Sequence, residues 1–321
     1  MGDTAGVECV CITGPTACGK TDLALELAER LPLEVISMDS AMVYRGLDIG
    51  TAKPSAATRA VVSHHLIDIL EPTESYSAGR FAEDAASAIA EIRARGRLPL
   101  LVGGTLLYLR ALRDGLSALP RADGVIRAEI DREAAQRGWD AMHERLRRLD
   151  RAAAARIASS DRQRIQRALE VYALTGRPIS ELQRTGRSAH GGAILAIALV
   201  PEDRTALRAR IEQRFDAMVS HGFVAEVERL RARGDLRADL PSMRAVGYRQ
   251  LWAYLDGHYG WDEARLKAIV ATRQYAKRQL TWLRGDPTCE VWPALAPGLV
   301  ERCFQRLSKE NPIAKNGRRL C

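Results

Sequence analysis

Apolar and polar positions in the first third of the chain alternate between two periods. Val7 to Thr13 is apolar and rich in β-branched residues, which predicts a strand, and a glycine-rich turn separates it from a helical pattern over Asp22 to Arg30. Leu33 to Ser37 and Leu98 to Val102 predict two more strands, with a helix over Tyr76 to Arg95 between them. This order of elements predicts a parallel sheet covered by helices on both faces.

The pattern changes in the middle of the chain. From about Arg121 to Thr185 the residues favour helices and indicate no strand, whereas Ile194 to Val200 predicts a strand again. A helical block between strands is interpreted as an insertion in an α/β core. We therefore assign residues 7–118 and 191–306 to the core and residues 119–190 to a helical insertion domain.

The last third is predicted to be mainly helical. Helices are expected over Arg204 to Arg233, Met243 to Leu255 and Trp261 to Leu283. The polar and basic residues 307–321 are expected to be a disordered tail.

Composition and charge favour a soluble protein that binds an anion. Hydrophobic residues make up 46% of the chain, and the net charge of +8 favours nucleic acid or phosphorylated metabolites as partners. The six cysteines form no CxxC pair, so a zinc site or a disulfide scaffold is not expected, and Cys9 and Cys11 are interpreted as buried strand residues. The sequence shows neither a secretory signal nor a run that could cross a membrane, so we expect a cytoplasmic protein.

A phosphate-binding loop is the strongest motif. Residues 14–21, GPTACGKT, fit the pattern G-x-x-x-x-G-K-[ST] between a predicted strand and a predicted helix. Glycines in this pattern let backbone N–H groups surround phosphate oxygens, and the helix N-terminus and Lys20 add positive charge. The Thr21 hydroxyl suits Mg²⁺, which is the cofactor that we expect.

The ends of two predicted strands supply further candidate active-site residues at the same edge of the sheet. An ATPase or GTPase carries an acidic residue after a second strand, but Leu98 to Val102 is followed by Gly103, Gly104 and Thr105. Asp39, after the strand Leu33 to Ser37, could therefore face the bound phosphate, although Asp followed by Ser is equally typical of a turn or cap. By itself, Thr105 is better explained as a helix cap.

Basic residues form two rows at helical spacing. Arg164 and Arg167 lie three apart in the predicted insertion, and Arg273, Lys277 and Arg284 share one face near the C-terminus. One such row is usually a solvated surface, but two rows together with the net charge favour a polyanion such as RNA.

These segments resemble the bacterial tRNA dimethylallyltransferases along nearly the whole chain, from Val10 to about Arg284. The resemblance is carried by the following segments: GPTACGKT at 14–21, DSAMVYRGLDIGTAKP at 39–54, the LLVGGT–LY run at 101–108, RQRIQRALEVY at 162–172, SMRAVGYRQLW at 242–252 and TRQYAKRQLTWLR at 272–284. Cys18 departs from the serine that is common there, and Asp161-Arg162 replaces an expected Asp-Pro. The resemblance implies a P-loop NTPase-like core with a helical insertion.

The resemblance also implies an activity and its residues. It implies transfer of a dimethylallyl group from dimethylallyl diphosphate to adenine N6 beside the anticodon of tRNA, by a monomer. Asp39 would be the general base, and Thr105 and Arg127 further active-site groups. The diphosphate would be bound by Gly14, Thr16, Ala17, Cys18, Gly19, Lys20 and Thr21. The tRNA would be contacted by Asp39, Ser40, Ala41, Met42, Gln163, Arg164, Arg167, Arg244, Gly247, Tyr248, Arg249, Lys277, Arg278, Gln279, Thr281, Trp282 and Arg284.

Three other functions stay open on the residues alone. A small-molecule kinase would share the phosphate loop, but no acidic residue after the second strand supports it. A prenyltransferase that acts on free AMP would not need a helical insertion or two basic rows. A non-enzymatic RNA-binding module would leave the phosphate loop, Asp39 and Thr105 without a role.

Overall fold

The structure, a computed structural model, describes residues 7–117, 119–184, 187–188 and 192–310. The chain divides into two compact units, one formed by residues 1–113 and 190–321 and the other by residues 114–189. In chain order the strands are β1 (Cys9–Thr13), β2 (Leu33–Met38), β3 (His64–His65), β4 (Leu98–Gly103), β5 (Leu116–Ser117), β6 (Arg187–Ser188), β7 (Ile194–Val200) and β8 (Cys289–Pro293).

The helices account for most of the remaining chain. They are α1 (Lys20–Ala28), α2 (Ala56–Val61), α3 (Ala78–Ala94), α4 (Leu106–Asp114), α5 (Gly124–Arg137), α6 (Trp139–Leu149), α7 (Arg151–Arg156), α8 (Arg162–Thr175), α9 (Ile179–Leu182), α10 (Arg204–Ser220), α11 (Phe223–Ala232), α12 (Tyr248–Leu255), α13 (Trp261–Arg284) and α14 (Leu299–Glu310). In the described ranges no helix combines the length and the apolar character that a membrane span requires.

A six-stranded parallel sheet organises the first unit. Its strand order is β3-β2-β4-β1-β7-β8, and each neighbouring pair is parallel. Strand β1 lies between β4 and β7, with Val10 opposite both Leu100 and Leu195. The predicted α/β class with a parallel sheet is confirmed.

Side chains of β1 alternate between the two faces of this sheet. Cys9 and Cys11 pack with Phe81 of α3 on one face, whereas Val10 and Ile12 pack on the other face, against α1 and α14. This alternation follows from the two-residue period of a strand. It confirms that Cys9 and Cys11 are buried strand residues.

A third apolar cluster joins the helices that follow β7 to the loop after β2. Phe215, Phe223 and Tyr248 pack there with Val43 and Leu47. Glu226 lies in the same region and is 2% exposed. Its carboxylate accepts hydrogen bonds from the backbone N–H groups of residues 48–50 and from the Tyr248 hydroxyl, so that it ties this loop to α11 and α12.

The second unit has its own core, formed by α5 to α9. Ile130, Met142, Leu146, Ile165 and Leu169 are buried in it. The expectation of an insertion without strands is wrong in one detail, because β6 pairs with β5 in a two-residue antiparallel ladder. A ladder this short has no apolar alternation to reveal it. The ladder also explains why this unit begins at residue 114 instead of the predicted 119.

Several predicted boundaries shift for identifiable reasons. The helical stretch from 204 to 233 is broken at Gly222, which has a φ of 96°. The helix expected from Met243 begins at Tyr248, after Gly247 with a φ of 92°. The predicted disordered tail is wrong for residues 307–310, because α14 extends through them and Leu307 is buried against the sheet. Residues 311–321 lie outside the described residues.

Candidate active site

The phosphate loop joins the end of β1 to the start of α1. Gly14 has a φ of 152°, and a Cβ there would lie 2.5 Å from the Leu199 carbonyl oxygen, so only glycine fits. Gly19 is left-handed with a φ of 88° and precedes α1, which begins at Lys20. The Lys20 Nζ donates to the carbonyl oxygens of Gly14 (3.0 Å) and Pro15 (2.6 Å). The ammonium group is thus already held at the loop.

Asp39 lies directly after β2. It combines the two roles left open by the sequence, that of a turn-capping residue and that of a group facing the ligand. Its Oδ1 accepts hydrogen bonds from the backbone N–H groups of Ala41 (2.8 Å) and Met42 (3.3 Å), as a turn-capping residue does. The same side chain lines the main cavity of the first unit. Across the described residues its Oδ2 accepts no hydrogen bond, so one carboxylate oxygen stays available to a ligand.

The Gly103-Gly104-Thr105 turn follows β4 and lies against the Asp39 turn. A Cβ on Gly103 would lie 2.1 Å from the Met38 carbonyl oxygen, which explains the glycine. The Thr105 Oγ1 accepts from the Ser40 N–H at 3.2 Å. Burial raises the pKa of Tyr275, and the nearby charge of Asp39 raises it further, while a hydrogen bond with Thr105 opposes this shift. Tyr275 therefore remains a protonated donor beside Asp39.

Two arginines of α10 were missed by the sequence analysis. The Arg210 Nε donates to the Ala17 carbonyl oxygen at 2.9 Å, where Ala17 has a left-handed φ of 64°. Arg214 lines the cavity, and within the described part of the chain it has no ion-pair or hydrogen-bond partner. Burial lowers the pKa of Arg214, although Asp39 and Asp22 oppose the shift. The guanidinium stays charged, because arginine is not deprotonated in proteins.

Lys20, Asp39, Arg214 and Tyr275 line one cavity of about 370 Å³ in the first unit, whereas Thr105 and Arg210 do not line it. This volume is typical of small-molecule sites. Of the candidate residues, it is lined by Thr16, Ala17, Lys20, Thr21, Asp39, Ser40, Ala41, Met42, Arg244, Gly247 and Gln279. The rest of the lining includes an apolar group formed by Ile211, Phe215, Met218, Phe223 and Val246. The charged side chains Lys20, Arg214 and Arg244 outnumber Asp39, so the cavity favours an anion that carries an apolar group.

Other predicted tRNA contacts in the first unit divide into buried and exposed sets. Tyr248 is fully buried with its hydroxyl on Glu226, and Gln279 is 4% exposed. Arg273 of the predicted row is held by Glu212 of α10 at 3.0 Å. The exposed set is formed by Arg244, Arg249, Lys277, Arg278, Thr281, Trp282 and Arg284. The last five lie on α13 and give it a basic face with an exposed indole.

In the second unit, Glu170 binds two of the predicted arginines. It is fully buried and accepts from Arg127 at 2.9 and 3.1 Å and from Arg167 at 2.6 Å. Arg164 forms an ion pair with Asp161 at 3.4 Å, and Gln163 is exposed. The guanidinium groups of Arg127 and Arg167 are thus fixed in place by one carboxylate.

Comparison with known proteins places this chain in a family. Residues 42–286 match the family model described as IPP transferase. The tRNA dimethylallyltransferase of Ralstonia nicotianae is 58% identical over 300 residues, which cover 91% of this chain and 93% of that protein.

Solved structures agree with this match. The full-length tRNA isopentenylpyrophosphate transferase of Bacillus halodurans is 38% identical, with a TM-score of 0.68 over 97% of this chain and 98% of that one. A eukaryotic dimethylallyltransferase acting on tRNA is 25% identical, with a TM-score of 0.75 over 96% of this chain and 79% of that one. With its phosphate loop, its Asp39 turn and these matches, the chain belongs to the IPP transferase family.

Proposed function

We propose that this protein transfers the dimethylallyl group from dimethylallyl diphosphate to N6 of the adenosine 3′-adjacent to the anticodon in tRNA and releases diphosphate. The observation that carries the proposal is a single cavity in which a phosphate loop, the Asp39 carboxylate and apolar side chains meet. The names of the relatives, tRNA dimethylallyltransferase and tRNA isopentenylpyrophosphate transferase, support it.

Dimethylallyl diphosphate matches both the basic part and the apolar part of the cavity lining. A diphosphate would be bound by the free loop N–H groups, the N-terminus of α1, Lys20 and Arg214. The apolar five-carbon group would contact side chains such as Phe215 and Met218. A kinase is less well supported, because β4 ends at Gly103 and is followed by Gly104 and Thr105 without a carboxylate.

The residues of this site fit a magnesium ion that binds together with the diphosphate. In the described residues no group of three His, Cys, Asp or Glu side chains could hold a metal by itself. Thr21 lines the cavity, and Mg²⁺ is commonly held by one or two protein groups together with substrate phosphates. When bound there, Mg²⁺ would neutralise charge on the leaving diphosphate.

The reaction needs a base and a stabilised leaving group. The adenine amine is a weak nucleophile, so its nitrogen must lose a proton as it forms the new bond to the allylic carbon. The free Oδ2 of Asp39 accepts that proton, while the backbone N–H groups on Oδ1 keep the carboxylate oriented. The carbon–oxygen bond breaks at the same time, and its electron pair leaves on the diphosphate, where Lys20 and Arg214 stabilise the charge.

The acceptor is a tRNA because exposed basic residues extend well beyond the cavity. Lys277, Arg278 and Arg284 on α13 can contact phosphates, and the exposed ring of Trp282 can stack on a base. A nucleotide in a loop leaves its stack more easily than a paired one, so it can enter a closed cavity. We expect the protein to act as a monomer, and we place it in the cytoplasm, where tRNA is available.

The test combines purified protein, dimethylallyl diphosphate, Mg²⁺ and total tRNA, followed by nucleoside mass analysis. We expect N6-dimethylallyladenosine in tRNA and release of one diphosphate per transfer. Asp39→Asn should lower turnover by about 10²–10⁴-fold, the usual contribution of a positioned base. The matched control is Asp262→Asn, at an exposed position in the first turn of α13, which should retain wild-type turnover.

Parallel reactions with free AMP and with ATP separate the alternatives. Prenylation of AMP as fast as that of tRNA would replace the proposed acceptor, and phosphoryl transfer from ATP would replace the proposed chemistry. Binding of tRNA should also weaken steeply with salt, and Lys277→Ala with Arg278→Ala should flatten the slope by roughly one unit per lost phosphate contact. Binding of dimethylallyl diphosphate should stay unchanged in this variant, because both residues lie outside the cavity lining.

A further inference from the structure

Gln279 connects two loops that are far apart in sequence. It lies on α13 and is 4% exposed. Its Oε1 accepts a hydrogen bond from the Thr16 N–H of the phosphate loop at 2.9 Å, and its Nε2 donates to the Gly104 carbonyl oxygen at 2.9 Å. One side-chain amide therefore spans the gap between the phosphate loop and the turn after β4.

The surroundings require a side chain of this length and polarity. A Cβ on Gly104 would lie 2.1 Å from the Gln279 Nε2, so the glycine is what allows the amide to approach. A leucine would fill the space but leave the Thr16 donor and the Gly104 acceptor without partners. A glutamate could still accept from Thr16, but its second oxygen would face the Gly104 carbonyl oxygen and repel it.

The two connected loops carry different parts of the proposed reaction. Thr16 belongs to the loop that would bind diphosphate. Gly104 precedes Thr105, whose Oγ1 binds the Ser40 N–H beside Asp39. The chain of hydrogen bonds from Thr16 through Gln279 to this turn thus sets the distance between the leaving group and the base.

We propose that Gln279 is a positioning residue that fixes the phosphate loop against the Gly103–Thr105 turn, and so aligns the diphosphate with Asp39. This inference rests on the proposed function. In this role Gln279 acts inside the protein, in place of the direct tRNA contact expected from the sequence. Its exposed neighbours Lys277, Arg278 and Trp282 can still contact RNA.

The bond to Gln279 also limits which loop amides can bind phosphate. Pro15 has no N–H, and the Thr16 N–H is already used. After Thr16, the next N–H groups of the loop begin at Ala17 and lie next to the N-terminus of α1. Without Gln279 the Thr16 amide would lose its partner, and the start of the loop would be free to move.

The experiment compares Gln279→Leu and Gln279→Glu with the wild type, and uses Gln274→Leu, at an exposed position on the same helix, as the matched control. Four quantities are measured: hydrogen exchange of the Thr16 amide, the Kd for inorganic diphosphate by calorimetry, the Kd for tRNA, and kcat. For Gln279→Leu we expect loss of Thr16 protection and a rise of about tenfold in the diphosphate Kd. Turnover should fall by about 100-fold, as for a misplacement of about 1 Å, with tRNA affinity within a few-fold of wild type.

Gln279→Glu separates the two hydrogen bonds and guards against a leucine variant that fails to fold. We expect it to retain Thr16 protection but to lose turnover, because the bond to Gly104 is broken. The negative charge that it adds to the cavity lining should also weaken diphosphate binding. The proposal is overturned if either variant keeps wild-type kcat, or if the main loss is in tRNA affinity, which would make Gln279 an RNA contact. Failure of the wild type to prenylate tRNA would refute the proposed function instead, whereas the exchange and diphosphate measurements test the Gln279 bridge independently.

Discussion

Replacement of Glu226 tests whether one buried carboxylate holds the loop after β2. Its Oε2 accepts from the N–H groups of Asp48 (3.2 Å) and Ile49 (2.8 Å), and its Oε1 accepts from Gly50 N–H (3.2 Å) and the Tyr248 hydroxyl (2.5 Å). Burial, together with the charge of Glu226, raises the pKa of Tyr248 well above its usual value, so the phenol stays a donor. All four groups thus need an acceptor at this position.

Glu226→Gln replaces one acceptor by an NH₂ group that faces donors. If the amide keeps its oxygen near Ile49, the Tyr248 hydroxyl can rotate to accept, but the Gly50 N–H is left without a partner. One unsatisfied buried donor costs about 1–3 kcal/mol, a substantial part of a total stability of about 5–15 kcal/mol. Glu226→Ala removes the acceptor for three backbone donors and should cost about 3 kcal/mol or more.

Urea unfolding measures this effect, with hydrogen exchange of the Ile49 amide as a local readout. Glu228→Gln is the control, because Glu228 is exposed on the same helix and should change the free energy of unfolding by less than about 0.5 kcal/mol. A Glu226→Gln variant as stable as this control, with Ile49 still protected, would refute the reasoning. The loop would then be held by apolar packing alone.

Three further outcomes are expected. Lys20→Ala should weaken inorganic diphosphate binding by about 10- to 100-fold, as measured by calorimetry, because a charged hydrogen-bond donor is lost. Burial by itself would raise the pKa of Glu170, but hydrogen bonds from Arg127 and Arg167 outweigh it and the pKa lies below the usual 4.5. Its contribution is therefore complete above pH 4.5 and lost as the pH falls through the lower folded value, so acid titrations of stability should be less steep for Glu170→Gln than for wild type. Burial raises the pKa of Cys303 to about 12, so peptide mass analysis should show no iodoacetamide label on it until denaturant is added.

The parts of the fold that have a strong apolar pattern or a known motif could be predicted from the sequence. Strand β1 and the phosphate loop follow from an apolar β-branched run joined to GPTACGKT, and β7 was predicted with its observed bounds. Strand β8 was missed because it lies at the edge of the sheet, where buried and exposed positions mix and Val291 is 58% exposed. Apolar spacing alone carries little information about such strands.

The site could be predicted only in part, for a different reason. The Asp39 turn and the glycines after β4 follow strands, so their placement at one edge of the sheet is a rule of topology. Arg214 carries no such signal, since α10 holds several arginines that look alike in sequence. Glu226 and Gln279 act through backbone groups far away in the chain, and such partners become visible only in three dimensions.

The order of strands in the sheet has a consequence for synthesis on the ribosome. Strand β1 pairs with β4 on one side and with β7 on the other, but the whole unit of residues 114–189 is translated between these two partners. At about 5–20 residues per second, the roughly 90 intervening residues leave one flank of β1 unpaired for about 5–18 s. Throughout this interval the nascent chain presents an open, apolar strand edge, of the kind that aggregates or recruits chaperones. The position of the insertion therefore keeps one flank of the strand that leads into the phosphate loop open to misfolding while the whole second unit is synthesised.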